Sequence, residues 1–238
     1  MSAPINLFWA SSNKAKTTQL KYIIESNTAL IKIIPVHVDV DEIQSMDNKV
    51  VAQDKIKSMY KYISEKYSIN NFHLVCEDTG YSYANTNGFP GALIKFYHDS
   101  LGNDGICKAH AGSRATNTSC VAYTDGDEIM LFTNCVVGTV PDHPRPCVSD
   151  KYIGIGSELD TVFVPDYPAH LKEFSGLAYS QLPMEAHALV SARTQSFSDL
   201  VNYLTDKINN KKAQAQARPY NLADDNSESD FESDSEPD

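Results

Sequence analysis

Cysteine is scarce and unpaired in this 238-residue sequence. Cys76, Cys107, Cys120, Cys135 and Cys147 are odd in number, widely spaced and free of any CxxC pair. That pattern argues against a secreted disulfide framework and a zinc site, and for reduced thiols in a cytoplasmic compartment. Long hydrophobic runs are missing too. No stretch approaches the length of a membrane span, and Met1 to Leu7 has no basic region, so neither an anchor nor a signal peptide is expected. The absence of a basic stripe argues against long nucleic acid as a partner.

Basic residues also stop at Arg218, after which eight acids follow between Asp224 and Asp238. The formal net charge of −11 is therefore local, and the chain without those eight acids carries only −3. A Ser/Asp/Glu-rich tail whose sizeable apolar group is Phe231 cannot bury enough surface to fold. Residues 213–238 are expected to be disordered, leaving one domain over 1–212 that can bury a core without disulfides. Ser227, Ser229, Ser233 and Ser235 each have an acid three residues on, as acid-directed kinases favour. The tail is thus a candidate for phosphorylation or for binding a basic partner, with a plain solubilising role as the alternative.

What is present centres on Cys76-Glu77-Asp78-Thr79-Gly80 and Asn87-Gly88-Phe89-Pro90-Gly91. Phe72 to Cys76 reads as a short buried strand ending in two carboxylates. Gly88, Pro90 and Gly91 set the loop after it, and Ala92 to Tyr97, with Lys95 inside, begins a helix. Acids at a strand end beside a glycine loop and a lysine are where an α/β protein holds a metal and a phosphate. A turn with solvated acids has the same local pattern.

Upstream, Ile5 to Ala10 is a strand, Ser11-Ser12-Asn13 a polar helix start, and the next helix carries Leu20, Ile23 and Ile24 on one face. Free N–H groups at that helix start suit an anion, with Lys16 pointing toward it; the segment taken alone favours simple capping with a solvated lysine. Leu30 to Val36 is a second strand. It leads to Asp39, Asp41 and Glu42, three acids that repel unless a cation, a lysine or water intervenes. A long helix then places Ala52, Ile56, Met59, Tyr60, Ile63 and Tyr67 toward the core, completing a β-α-β-α-β opening. Downstream, Asn117 to Tyr123 and Ile129 to Val140 form a hairpin around Asp125-Gly126. Pro141 to Pro146 is loop, and Asp160 to Asp166 is an apolar strand led by an acid. The last helix runs from about Ala186, with Leu189, Phe197, Leu200, Val201, Leu204 and Ile208 inward and Ser191 and Arg193 in its first turns.

The order of these pieces resembles the inosine triphosphate pyrophosphatase family, the noncanonical purine nucleoside triphosphate pyrophosphohydrolases. Ser11-Ser12-Asn13-Lys14-Ala15-Lys16 matches its Thr/Ser-x-Asn-x-x-Lys phosphate loop. Glu77-Asp78-Thr79, Gly88-Phe89-Pro90-Gly91 and Ile94-Lys95-Phe96 match its most characteristic block. Asp160 with Phe163-Val164-Pro165-Asp166, and Ser191-Ala192-Arg193, fall on two further motifs, so the resemblance spans about residues 5–208.

The resemblance implies an α/β protein, elongated and two-lobed around a long mixed β-sheet, with the active-site cleft between the lobes, and commonly a homodimer. It implies Mg²⁺-dependent hydrolysis of ITP, dITP and XTP to the monophosphate and pyrophosphate, with Mn²⁺ as a possible substitute. Carried over by position, Ser11, Asn13, Lys16 and Lys95 would bind phosphates, and Glu42 and Asp78 the metal. Asp160, Ser191 and Arg193 would face the base. Asp78 would also accept the proton of the attacking water, and Lys16 would stabilise the leaving group.

The resemblance has departures. Gln19 replaces an expected Glu, removing one anionic group near the metal; on the base side and lid, Ser157-Glu158-Leu159 replaces an aromatic run, His187 replaces a lysine and Ala192 a histidine. Tyr152, Phe174 and Tyr179 are then the candidate stacking rings. These changes leave a second reading open, a nucleotide-binding relative with altered base preference or lost catalysis, acting as a binding module through its acidic tail.

Overall fold

A hydrophobic strand that alternates its side chains between two helical layers builds the first half of the chain. The computed structural model describes residues 4–11, 13–147 and 158–216, so Ser12, Tyr152, Ser157 and the tail beyond Gln216 lie outside the described residues. β1 (Ile5–Ala10), α1 (Lys14–Asn27), β2 (Ile31–Val36), α2 (Asn48–Tyr67) and β3 (His73–Tyr83) follow in order, with β1 parallel to both β2 and β3. β2 is an edge strand, where a residue without an N–H such as Pro35 is tolerated.

β3 continues past β1 and pairs antiparallel with β5 (Arg114–Thr124), which turns through residues 125–128 into β6 (Ile129–Thr139). Two short strands complete the sheet: β4 (Pro90–Gly91) on β3 and β7 (Val164–Pro165) on β6. The result is an open, seven-stranded mixed sheet in the order β2-β1-β3-β5-β6-β7, with β4 beside β3. Between β4 and β5 runs α3 (Ile94–His110), and the described residues end in α4 (Met184–Val190) and α5 (Ala192–Gln216).

Parity along the strands sorts the core. Leu7, Trp9, Val75, Val121 and Tyr123 face α1 and the first part of α5, meeting Leu20, Ile23 and Phe197. Leu74, Cys76, Cys120 and Ala122 face the other way, onto Ala52, Ile56 and Met59 of α2. Each fully buried side chain of the size of Leu20 or Phe197 contributes about 1.5–3 kcal/mol. A third cluster surrounds the far end of β3 with Tyr81, Tyr83, Ile94, Ile106, Phe163 and Tyr179.

Several expectations shift. Glu77 and Asp78 lie in mid-strand and not at a strand end, because β5 extends the ladder from Leu74 to Tyr83. Residues 158–162 form a 3-10 turn, which shortens the expected strand over 160–166 to Val164–Pro165. Tyr67 is 57% exposed and Leu189 is 60% exposed, so neither is core. α2 ends at Tyr67, with Ser68 left-handed, and the helix expected from Ala186 starts at Met184 and is broken at Ser191. Residues 213–216 are helical as the end of α5. Met1–Thr205 is one compact unit, and the whole site described below belongs to it; Asp206–Asp238 is a second. Among the described residues no helix is long and apolar enough to cross a membrane.

Candidate active site

Neighbouring residues on a strand point to opposite faces, and this separates the two central acids. Glu77 follows the parity of Val75 and turns toward α1 and α5; Asp78 follows Cys76 and turns toward α2. The Glu77 carboxylate is fully buried between two cations. Lys16 Nζ lies 2.6 Å from Oε2, and Arg193 Nε donates to Oε1 at 3.2 Å. Ser119 and Thr79 hydroxyls also donate to Oε1. Burial alone would push this carboxyl up, but the charges of Lys16 and Arg193 hold it well below the usual range.

Asp78 has a different setting. Asn48, the first residue of α2, donates Nδ2–H to its Oδ2 at 2.6 Å. Burial is the largest influence and lifts the carboxyl to about 6; Lys16 and the Asn48 bond pull it down, and neighbouring Glu77 pushes it up. Gly80 makes the Asn48 contact possible, since a Cβ there would sit 2.4 Å from Asn48 Oδ1. Met46 O accepts from Ala92 N at 3.0 Å, tying the acidic segment before α2 to the chain leading into α3.

These pieces border one cleft of about 800 Å³. Asn13, Lys16, Glu42, Asp78, Lys95 and Arg193 line it, joined by Lys55, Phe96 and Glu158-Leu159. Asn13 caps α1, its side chain accepting from Lys16 N at 3.2 Å, so the helix start and the lysine are set together. Ser11 Oγ accepts from Asn13 N at 3.2 Å and shapes that turn from outside the cleft wall. Lys95 is exposed at the start of α3.

The base-side residues are arranged less simply. Arg193 reaches the cleft, but three of its five N–H groups are already used, on Glu77, on Gln19 Oε1 at 2.9 Å and on Thr79 Oγ1 at 2.9 Å. Gln19 is therefore a buried partner of Arg193. Asp160 is buried behind the wall, 3.9 Å from His187 Nε2. Burial lowers the His187 pKa and Arg193 assists, while Asp160 opposes them. Ser191 is also buried, its hydroxyl accepting from Thr194 N as a helix cap. Tyr179 is core, its OH bonded to Val190 O, and Phe174 packs against the same cluster, so neither offers a ring to the cleft. Phe96, 57% exposed in the cleft wall, does.

The sequence gives Asn48 and Lys55 no role, and Phe96 none beyond its place in the Ile94-Lys95-Phe96 block. Phe96 carried a usable signal, an aromatic beside Lys95 in the family block. Asn48 and Lys55 carried none, because a polar residue near a helix start and a lysine on an amphipathic helix are ordinary.

The carboxylates suit a hard, oxygen-seeking cation. Asp78 and Glu42 line the cleft with Asp39 and Asp41, and burial makes the charge on Asp78 costly without a positive neighbour. Among the described residues no group of three or more His, Cys, Asp or Glu side chains could hold an ion by itself. Mg²⁺ is commonly held by one or two carboxylates completed by phosphate oxygens and water.

The sequence profile of the Ham1 family matches residues 7–203, which includes every one of these side chains. The chain belongs to the Ham1 family. This Ham1 protein is 25% identical over 206 residues to the inosine triphosphate pyrophosphatase of Candida glabrata, covering 84% of this chain and 96% of that one. It is 28% identical over 163 residues to the dITP/XTP pyrophosphatase of Korarchaeum cryptofilum, covering 67% and 79%. Among solved structures, a HAM1 protein from Coxiella burnetii superposes with a TM-score of 0.65 at 18% identity, over 85% of this chain and 99% of that one. The Staphylococcus aureus Ham1 protein gives 0.56 at 20% identity, over 85% and 99%. Those two likenesses establish the fold.

Proposed function

We propose that this Ham1 protein is a nucleoside triphosphate pyrophosphohydrolase that converts ITP, dITP and XTP to the monophosphate and pyrophosphate. The observation that carries the reading is one cleft whose wall brings the carboxylates of Asp78 and Glu42 together with Lys16 and Lys95. A base works best when its pKa lies near the working pH, and Asp78 has moved in that direction. Glu42 and Asp78 would hold Mg²⁺, which when bound screens the triphosphate and makes a water easier to deprotonate.

The chain's own groups do the rest. Asn13 and Lys16 at the start of α1, with Lys95 at the start of α3, receive phosphate oxygens. Asp78 takes the proton of the attacking water, and Lys16 stabilises charge on the departing pyrophosphate. Phe96 offers a face for the base, and the two unused N–H groups of Arg193 offer donors to its edge. Asp160 and Ser191 act from behind the wall by fixing the turn over 158–162 and the start of α5. The same reading carries assembly as a homodimer, which sedimentation velocity tests.

The function is tested by product identity. With Mg²⁺, the protein should yield inosine monophosphate and pyrophosphate from ITP, and the equivalent products from dITP and XTP, faster than from ATP or GTP. No product from any triphosphate, or a diphosphate with orthophosphate, would overturn the proposal.

A further inference from the structure

One cation in the cleft has no part in the scheme above. Lys55 rises from α2 between Ala52 and Ile56, both fully buried, so its stem passes core side chains and its ammonium emerges at the cleft. The side chain is only 16% exposed, and its Nζ bonds Oε1 of Glu42. The same ammonium is attracted to Asp78. Glu42 comes from the segment before α2, so the ion pair joins that segment to the helix at the mouth of the cleft that Asp78 also lines.

We propose that Lys55 is a built-in counterion that keeps a divalent cation off Glu42 and Asp78 until nucleotide arrives. The inference rests on those two acids being the metal ligands. Before substrate binds, Lys55 places a positive charge on Glu42 at the edge of the cleft, adding to that of Lys16 beside Asp78. A divalent ion entering alone meets a fixed positive charge and has no phosphate oxygens to complete its shell. A triphosphate brings several negative charges next to Lys55 and draws the ammonium from Glu42 to itself. Glu42 is 45% exposed, and an ion pair with one exposed partner opens readily. Glu42 is then released at the moment the phosphates are present, beside Asp78 on the same cleft wall. The metal–nucleotide complex is therefore the form the cleft accepts, and the free ion is not. Lys55 acts through Glu42 and Asp78 and is a positioning residue.

The test is a titration of the full chain with Mn²⁺ alone, followed by electron paramagnetic resonance of the free ion, with folding checked by circular dichroism. Lys55→Gln and Lys55→Met should bind Mn²⁺ about tenfold more tightly than wild type, the factor that ~1.4 kcal/mol of relieved repulsion supplies. Lys55→Arg keeps the charge and should bind no more tightly than wild type. The gain in Lys55→Gln should vanish when Asp78→Asn is added. Equal affinity in wild type and both neutral variants would overturn the inference and leave the metal assignment intact. Absence of Mn²⁺ binding in every variant, with or without the non-hydrolysable α,β-methylene analogue of ITP, would instead remove the metal assignment and this inference with it.

Discussion

Arg193 Nε donates to Glu77 Oε1 at 3.2 Å across 116 residues of sequence. The bond pins the start of α5 to the middle of β3 and gives Glu77 a duty distinct from that of its neighbour. Glu77 neutralises the cations of Lys16 and Arg193, while Asp78, on the opposite face, is left with a proton affinity raised by burial.

Glu77→Gln should therefore destabilise the fold. Lys16 and Arg193 would lose their shared anion, and removing one partner of a buried ion pair costs roughly 3–5 kcal/mol. Urea denaturation at neutral pH measures it. Because the folded-state pKa of Glu77 is depressed, its contribution is present above the unfolded value of 4.5 and is lost as pH falls through the folded one. A loss below about 1 kcal/mol would show that the cations find other partners.

Asp78→Asn should do the opposite. The folded pKa, about 6, lies above the model-compound value of 3.8. The stability linked to this proton is present in full below 3.8 and is lost as pH rises through about 6. In EDTA at pH 7.5, Asp78→Asn should be more stable than wild type by up to about 3 kcal/mol, with the difference gone near pH 4. A difference that does not change with pH would mean that the substitution acts through packing alone.

Gly80→Ala tests the support of that acid. The added Cβ would fall 2.4 Å from Asn48 Oδ1 and displace the side chain that bonds Asp78. Overpacking of this kind costs roughly 1–3 kcal/mol. Turnover should fall with stability; unchanged turnover would show that Asn48 is dispensable.

Much of this arrangement was legible in the sequence, for identifiable reasons. The strand–helix–strand opening followed from apolar periodicity, and the Ser11-to-Lys16 turn from its cap and its place after β1. The hairpin followed from Asp125-Gly126. The long reach of β3 was not legible, because Glu77 and Asp78 read as the end of an apolar run and only pairing with β5 keeps them in the strand. Nor could the sequence show that Tyr179 is core while Phe96 is exposed, since both are aromatics near polar residues and tertiary packing decides between them. The role of Gln19 as a partner of Arg193 depends on a contact over 174 residues.

Phe96→Ala should raise KM for ITP by about tenfold with little change in kcat, because stacking on one ring is worth on the order of 1–3 kcal/mol. Steady-state kinetics with ITP and ATP side by side would show it. An unchanged KM would exclude Phe96 as the platform.

The division of labour between Glu77 and Asp78 is tested most directly by the rate of pyrophosphate release at saturating ITP and Mg²⁺ in wild type and Asp78→Asn. The expected result is a loss of roughly 10²–10⁴ in turnover, the usual contribution of a positioned acid–base group, in a protein that is folded. A folded Asp78→Asn protein that releases pyrophosphate at the wild-type rate would contradict the account.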